Sequence, residues 1–345
     1  MEKLKNVLLA IVFTFSIGIV ASQDVKADIT RFPNGLSSFG VPVLPGIGGN
    51  IFADVNVYWV DSTDANASTG ADGSIDTPFS TIDAAVGQCV ANQGDVILVK
   101  PGHIETVTAA GGLDLDIAGI TIIGIGQGSL RPTVRLSTVA TADVDVDAAN
   151  ITIVNLLFEA RFADITAGID VNAADFKMLN CETRDIDAGG EFITVIQTDA
   201  NANRMLIDGY THIGTSTPSG GNEASPLAVI ALTGGDDIII KNFNIYGDFD
   251  LSAIMATITI CTRLNIEGGK GSYIWTENAT DSAISVNAST GRMGPNITAI
   301  LQDNAANITE AFQGASMYFI SPLPVVNAAG EQTATTTNIT LSTDA

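Results

Sequence analysis

Ile151-Thr-Ile-Val-Asn155 is a short apolar strand that ends on a short polar side chain, and the pattern returns three times: Phe176-Lys-Met-Leu-Asn180, Arg204-Met-Leu-Ile-Asp208 and Ile238-Ile-Ile-Lys-Asn242. An earlier copy, Gly119-Ile-Thr-Ile-Ile-Gly124, ends on glycine. The last residues fall at 124, 155, 180, 208 and 242, so the copies are 31, 25, 28 and 34 residues apart. A period of roughly 20–50 residues is typical of a solenoid or a propeller.

The repeats are too short for propeller blades, which need about 40–45 residues each. They suit one turn of a parallel β-helix, whose coils stack at the strand spacing of about 4.8 Å. Further apolar runs lie between the repeated strands, at 167–171, 192–196, 227–231 and 252–256. Each turn therefore has two or three strands and no helix. The sequence predicts an all-β fold, a right-handed parallel β-helix of about seven coils.

Polar residues end four of the repeated strands: Asn155, Asn180, Asp208 and Asn242. Side chains stacked at one turn of a β-helix hydrogen-bond one another and the turn backbone. We therefore predict that these four residues form a structural ladder along the axis.

A different pattern precedes the repeats. It predicts, in order, a strand, a polar loop, a helix and a second strand, at Tyr58-Trp-Val-Asp61, Asp61 to Asp76, Ser80 to Gly94 and Asp95-Val-Ile-Leu-Val-Lys100. With Pro101-Gly-His103, this segment resembles the start of right-handed parallel β-helix proteins of the pectate-lyase-like superfamily, in particular uncharacterised bacterial and phage proteins. The resemblance implies that the helix is an N-terminal cap, which covers the open end of the coil stack.

The N-terminus resembles a secretory signal peptide. Lys3 and Lys5 precede an apolar run of 14 residues, Val7 to Val20, which is short of the roughly 20 needed to cross a bilayer. Composition then divides the chain into five predicted segments: a signal peptide (1–27), a Gly/Pro-rich arm or linker (28–54), an N-terminal capping unit (55–110), the parallel β-helix (111–310), and a C-terminal closing strand with a Thr-rich tail (311–345). We expect a secreted or cell-surface protein, or a virion component, without a transmembrane anchor.

The chain is strongly acidic, with 38 Asp and Glu against 15 Lys and Arg and a net charge of −23 in 345 residues. Nucleic-acid binding needs a basic surface, so it is excluded as a function class. The acids are 28 Asp and 10 Glu, and Asp favours turns over helix interiors. The three cysteines, Cys89, Cys181 and Cys261, lie in apolar contexts without CxxC spacing, which predicts buried free thiols.

No complete catalytic set is present. In the superfamily that the chain resembles, lyases use Arg or Lys with calcium-binding acids, and hydrolases use clustered Asp with a His. The nearest matches are Asp236 with Asp237, for which a turn is the simpler interpretation, and Arg184, for which a solvated ion-pair cluster with its acidic neighbours is the simpler one. His103 and Glu105 alternate on one strand face, as an acid/base or metal pair would. Their position after Pro101-Gly102 instead favours an exposed polar turn.

Calcium is the one cofactor that the sequence suggests, and a solvated carboxylate face is the default interpretation of the same residues. Asp143, Asp145 and Asp147 alternate with two valines, so a strand would project all three carboxylates from one face. Such carboxylates repel one another unless they are solvated or bridged by a hard cation.

Three functions stay open at this stage. The first is an exported structural or adhesive surface protein that presents the β-helix to glycans, to itself or to other surface or virion proteins. The second is a polysaccharide lyase or glycoside hydrolase. The third is a calcium-dependent carbohydrate-binding module. The absence of an assembled catalytic set favours the first.

Overall fold

The computed structural model describes residues 55–186, 189–215, 227–256, 260–276, 282–287, 289–301 and 311–326, and the strand residues 36–38, 41–43 and 332–333. The predicted signal peptide and most of the Thr-rich tail lie outside the described residues. The chain divides into two units, Met1–Asp54 and Val55–Ala345. In the first unit, β1 (Leu36–Ser38) pairs with β2 (Val41–Val43) in antiparallel orientation.

The second unit is a right-handed parallel β-solenoid of about seven turns, as predicted. Among the described residues, sheet A contains ten strands: β3 (Val57–Val60), β4 (Val96–Val99), β7 (Thr121–Gly124), β10 (Thr152–Val154), β13 (Lys177–Leu179), β16 (Leu206–Asp208), β19 (Ile239–Lys241), β22 (Leu264–Glu267), β25 (Thr290–Met293) and β28 (Ser316–Phe319).

Two further sheets complete each turn. Sheet B contains ten strands: β5 (Ile104–Val107), β8 (Thr133–Leu136), β11 (Leu157–Ala160), β14 (Glu182–Asp185), β17 (Thr211–Ile213), β20 (Asn244–Gly247), β23 (Ser272–Thr276), β26 (Ile297–Leu301), β29 (Val325–Val326) and β30 (Gln332–Thr333). Sheet C contains eight: β6 (Leu113–Asp114), β9 (Val144–Val146), β12 (Ile169–Val171), β15 (Thr194–Thr198), β18 (Ala228–Leu232), β21 (Ser252–Met255), β24 (Ser282–Ser285) and β27 (Phe312–Gln313).

Each turn consists of one strand from each sheet. Seven such turns start between Thr121 and Thr290, and one more, β4–β5–β6, precedes them. Within these turns every strand pairs in parallel with its equivalent in the next turn, whereas β30 runs antiparallel to β29 at the end of sheet B.

Alternate residues of each strand point into the solenoid, and their column forms the core. In sheet A the inward column is apolar in every turn, and each of its residues is at most 1% exposed: Ile97, Ile122, Ile153, Met178, Ile207, Ile240, Ile266 and Met293. Burial of one such side chain contributes roughly 1.5–3 kcal/mol. The single repeated strand of the sequence thus becomes a continuous stack of aliphatic side chains.

The polar ladder occupies the turn between sheets A and B, with one correction. Asn155, Asn180 and Asn242 hold equivalent positions with φ of 57°, 53° and 53°. Asp208 is not in this column, because it stays in β16, paired with Lys241, and Gly209 takes the left-handed position with φ of 73°. Glycine adopts positive φ without steric cost, so this repeat turns one residue later than the sequence pattern indicates.

The ladder side chains bond to the preceding turn instead of forming an unbroken amide stack. Nδ2 of Asn155 donates to the carbonyl oxygens of Gly124 and Gly126, at 2.8 Å each. Nδ2 of Asn242 donates to Oδ1 of Asp208 at 2.7 Å. Each bond ties a left-handed residue to its neighbouring coil, so the column clamps successive turns together.

A short helix, α1 (Ile82–Val86), packs against β3, β4 and β6. Thr81, not Ser80, is its N-cap, and its Oγ1 accepts a hydrogen bond from the Ala84 N–H at 3.2 Å. Ile82, Ala85 and Val86 are buried. The helix is shorter than the predicted segment, because Gly87 ends it. Its role as a cap over the end of the stack stays a prediction.

The three cysteines are free and buried, as predicted. Burial raises the pKa of Cys89 to about 12 and that of Cys181 to about 11, so both stay protonated thiols. Within the described ranges, none of the helices has the length and apolar character needed to cross a membrane.

Candidate functional site

The predicted pair His103 and Glu105 lies inside the protein. The two side chains share a strand face, as their alternation predicts, but His103 is 0% and Glu105 5% exposed. Nδ1 of His103 accepts the Ser62 N–H at 2.9 Å, and its Nε2 lies 3.3 Å from Oε2 of Glu105. The same oxygen accepts the Ile82 N–H at 2.7 Å. The prediction of an exposed polar turn is therefore wrong. Both side chains are buried because they bond to the start of α1 and to the loop at Ser62.

Asp236 and Asp237 lie on an exposed turn between sheets C and A. Asp237 forms a two-point ion pair with Arg263, with Nε–Oδ1 at 2.5 Å and Nη2–Oδ2 at 2.7 Å. Oδ1 of Asp236 accepts the Thr262 N–H at 2.8 Å. Hydrogen bonds lower the pKa of both carboxyls, Asp236 through Thr262 and Asp237 through Arg263. Through these contacts both carboxylates stabilise the turn.

The turn belongs to a second ladder that the sequence analysis missed. Its members all adopt left-handed backbone, with φ between 59° and 63°: Asn150, Asp175, Arg204, Asp237 and Arg263. Arg204 pairs with Asp175 by two bonds of 2.7 and 2.6 Å, just as Arg263 pairs with Asp237. The sequence contained a signal for this ladder, since each member directly precedes the buried residue that leads into a strand of sheet A.

Asp143, Asp145 and Asp147 project outward, because Val144 and Val146 between them are 0% exposed. Asp145 is in register with Asp114 on β6 and with Asp170 on β12. We call these five residues, Asp114, Asp143, Asp145, Asp147 and Asp170, the acidic row. Partial burial, and then the charges of the other four, raise the pKa of Asp145 to about 6.

The same causes act on three other members of the acidic row. Burial first, and then neighbouring carboxylates, raise the pKa of Asp114, Asp143 and Asp170. Across the described ranges, no three Asp, Glu, His or Cys side chains are grouped closely enough to hold a metal ion. The outward carboxylate face is present as predicted, but its side chains are not grouped as a metal site, and calcium binding there stays a prediction.

Arg184 lines a groove of about 410 Å³ on the outer face of sheet B. Arg131, Arg135 and Glu159 also line it, with Gly102, Ser129, Thr133 and Leu157 among the other walls. Register places Arg135 beside Glu159 and Glu159 beside Arg184 on β8, β11 and β14. We call this site the arginine groove. Of these residues only Arg184 was predicted from the sequence, although Arg135 and Glu159 lie about one repeat apart and could have been found by their register.

Ion pairs hold the groove in shape. Oε2 of Glu159 binds Nε of Arg135 at 3.0 Å and Nη2 of Arg161 at 2.8 Å. Glu182 binds Nη1 of Arg131 at 2.7 Å and Nε of Arg184 at 2.5 Å. Four guanidinium groups thus share two carboxylates, which leaves a local positive excess.

One donor in the groove is unused. Nε of Arg131 is buried and has no hydrogen-bond partner among the described residues. A buried donor without a partner is costly, so an anionic oxygen that reached it would be bound favourably.

Three aromatic residues follow the arginine groove along the same face of sheet B: Tyr246, Tyr273 and Trp275. We call them the aromatic ledge. Tyr273 is 51% and Trp275 41% exposed, and the rings of Tyr246 and Trp275 meet edge to face with centroids 5.7 Å apart. Beside them is a shallow hollow of about 220 Å³. Adjacent exposed rings form a contiguous apolar patch, and such a patch is a candidate binding surface.

Only the outward face of β14 matches the predicted ion-pair cluster, since Arg184 pairs there with Glu182, and the inward face carries a buried polar network. Oγ1 of Thr183 lies 2.6 Å from Oη of Tyr210 and 2.8 Å from Nδ1 of His212. The carboxylate of Asp185 is fully buried, 3.9 Å from Nε2 of His212. Burial raises the pKa of Asp185 to about 7 and lowers that of His212 to about 3. Alternation along the strand separates Glu182 and Arg184, which face solvent, from this network.

No protein-family model and no curated protein matches the sequence. Among solved structures, a rhamnogalacturonan lyase is similar over 79% of this chain and 66% of its own, with 14% identity and a TM-score of 0.46. A GH136 lacto-N-biosidase from Eubacterium ramulus is similar over 83% of this chain and 68% of its own, with 11% identity and a TM-score of 0.46. The chain spans about two thirds of the length of these β-helix proteins.

Proposed function

We propose that the protein binds an anionic polysaccharide along the outer face of sheet B. The supporting observation is the arginine groove, which three of the eight arginines line and which a fourth, Arg161, adjoins through Glu159, in a chain with net charge −23. Guanidinium groups bind carboxylate or sulfate oxygens with two parallel hydrogen bonds. An anionic chain is repelled by the rest of the surface and attracted at this groove, so its position is specified by charge.

Affinity electrophoresis in gels that contain polygalacturonate or neutral dextran tests the proposal. We expect polygalacturonate to retard the protein, Arg135→Ala and Arg184→Ala to abolish the retardation, and added salt to weaken it. Arg292→Ala is the matched control, because Arg292 pairs with Glu267 on sheet A, at 3.1 Å, away from the groove. Equal retardation of all variants, or none in polygalacturonate, would contradict the proposal.

The wider role that we propose is an exported structural or adhesive surface component that self-associates. Support comes from the signal-like N-terminal sequence and from β3 and β28, which are the edge strands of sheet A among the described residues. Edge strands pair readily with other chains. Mass spectrometry of the native protein should find a start near Ser22 or Asp28, and light scattering should find oligomers. An intact Met1 in assembled particles would exclude export, and a strict monomer would exclude assembly.

Cleavage of a polysaccharide is the second candidate function, and the acidic row favours it. Glycoside hydrolysis needs a protonated carboxyl as acid beside an ionised carboxylate as base. Asp145, whose pKa is raised to about 6, lies in register with Asp170. Reducing-end assays on acidic and neutral polysaccharides should then show products that Asp145→Asn abolishes. A lyase would instead give unsaturated products that are lost in Arg184→Ala. The absence of both products leaves binding as the function.

Calcium-dependent carbohydrate binding is the third candidate, and it too depends on the acidic row. A hard cation would relieve repulsion among its carboxylates. We expect calcium chloride to raise the melting temperature more than sodium chloride of equal ionic strength, and Asp145→Asn to remove the difference. An equal response to both salts would exclude a specific calcium site.

A further inference from the structure

We infer that the aromatic ledge is the continuation of the arginine groove, where uncharged sugar rings of the same polysaccharide stack. The inference rests on the proposed function and specifies its ligand: a glycan that carries acidic and neutral sugars in one chain. The ledge lies on the outer face of sheet B, with Tyr246 two turns and Tyr273 and Trp275 three turns beyond Arg184.

Register joins the two sites into one column. Successive strands from β8 to β23 place Arg135, Glu159, Arg184, Ile213, Tyr246 and Trp275 side by side. Adjacent strands are about 4.8 Å apart, which is close to the length of one pyranose unit in an extended glycan. A polysaccharide that lies along the solenoid axis would therefore meet one side chain of this column with nearly every sugar.

The hollow at the ledge suits an uncharged ring. Its walls are Thr211, His212, Ile213, Asn244, Ile245, Tyr246, Tyr273 and Trp275, which include no acid and no Lys or Arg. His212 stays neutral, because burial lowers its pKa to about 3. A uronate would find no counter-charge here, whereas the axial C–H groups of a neutral pyranose pack against an aromatic face.

Polar groups stand where the sugar hydroxyls would lie. Thr211, Asn244 and Tyr273 form the neighbouring outward column of the same strands. Asn244 is exposed, and its amide supplies both donors and an acceptor. The edge-to-face contact between Tyr246 and Trp275, at 88° between ring planes, limits the motion of the indole. Aromatic surface and adjacent amide and hydroxyl groups are together what an uncharged pyranose requires.

Calorimetric titration of the full chain with size-defined hyaluronan, in which glucuronate alternates with N-acetylglucosamine, tests the inference. We expect Trp275→Ala and Tyr273→Ala each to lower the affinity for an octasaccharide about tenfold, as truncation of an aromatic contact residue does. A tetrasaccharide, held at the arginine groove alone, should be unaffected. Tyr318→Ala is the matched control, because Tyr318 is 80% exposed on β28 of sheet A. Thermal melting of each variant confirms that it is folded.

The outcomes separate the two proposals. If Arg135→Ala abolishes octasaccharide binding while both ledge variants bind normally, the ledge inference is overturned and the groove stands. If Arg135→Ala binds normally, or if the unmodified protein binds neither hyaluronan nor polygalacturonate, both proposals fail. If Trp275→Ala converts an oligomer to a monomer in light scattering without a change in octasaccharide affinity, the ledge is a contact between copies and the inference is overturned.

Discussion

Asp145 on β9 and Asp170 on β12 occupy paired positions on adjacent parallel strands, and both carboxylates face outward from sheet C. Strands in a sheet are about 4.8 Å apart, so the two charges repel one another at close range. The fold requires this proximity, because the valines and isoleucine beside them must face the core. This electrostatic repulsion lowers the stability of the folded protein. Its size depends on pH, because the two carboxylates repel only when both are ionised.

We expect Asp145→Asn to raise the melting temperature at pH 7.5 by about 1–2 °C, since solvent screens a partly exposed group. The pKa of Asp145 is raised from 3.8 to about 6, so its contribution to stability is complete below pH 4 and is lost as the pH rises through 6. The variant should thus have the same melting temperature as the unmodified protein at pH 4 and a higher one at pH 7.5. Asp76→Asn, an exposed acid outside the row, should change neither value.

A second pH effect comes from Asp185 inside the solenoid. Burial raises its pKa from 3.8 to about 7, so stability is lost as the pH rises through 7. Asp185→Asn loses a hydrogen bond to the Phe192 or Thr215 N–H and should be less stable at pH 5. Its melting temperature should then fall less than that of the unmodified protein between pH 6 and pH 8. Parallel pH profiles would show that Asp185 does not titrate in this window.

The ladder residue Asn155 should be difficult to replace. Asn155→Ala removes two hydrogen bonds to Gly124 and Gly126 and leaves a β-carbon at φ of 57°, at a cost of about 2–3 kcal/mol. Asn155→Gly loses the same bonds, but glycine adopts the positive φ without strain, so this variant should be about 1 kcal/mol more stable than the alanine variant. Urea denaturation measures both values. Equal stability of the two variants would contradict a strained backbone at this position.

Gly209 should tolerate no side chain. It has a φ of 73°, and an added β-carbon would clash with Oδ1 of Asn180. We expect Gly209→Ala to destabilise the fold by roughly 1–3 kcal/mol. Gly70→Ala is the control, because nothing lies within 4 Å of its added carbon, and it should stay within about 0.5 kcal/mol of the unmodified protein. A neutral Gly209→Ala would show that the turn can shift its register.

Repetition explains which structural features were predictable. The apolar residues at Ile122, Ile153 and Ile207 recur with the repeat and indicate a stack before any coordinates are known. The register of Asp208 was not predictable, because Gly209 directly follows it and either residue can end a strand. His103 and Glu105 show the same limit. Alternation placed them on one face, yet the burial of that face depends on distant contacts, such as the bond from the Ile82 N–H at the start of α1 to Glu105.

The sequence by itself determined the solenoid, its turn length, the outward carboxylates of Asp143, Asp145 and Asp147, and the burial of three free thiols, because these follow from local alternation and period. Only the tertiary structure decided the arginine groove and the aromatic ledge. Arg135 and Arg184 are 49 residues apart in the chain and become neighbours two strands apart through the register of β8, β11 and β14. Turn lengths set that register, and a change of one residue in a turn moves a side chain from the surface to the core.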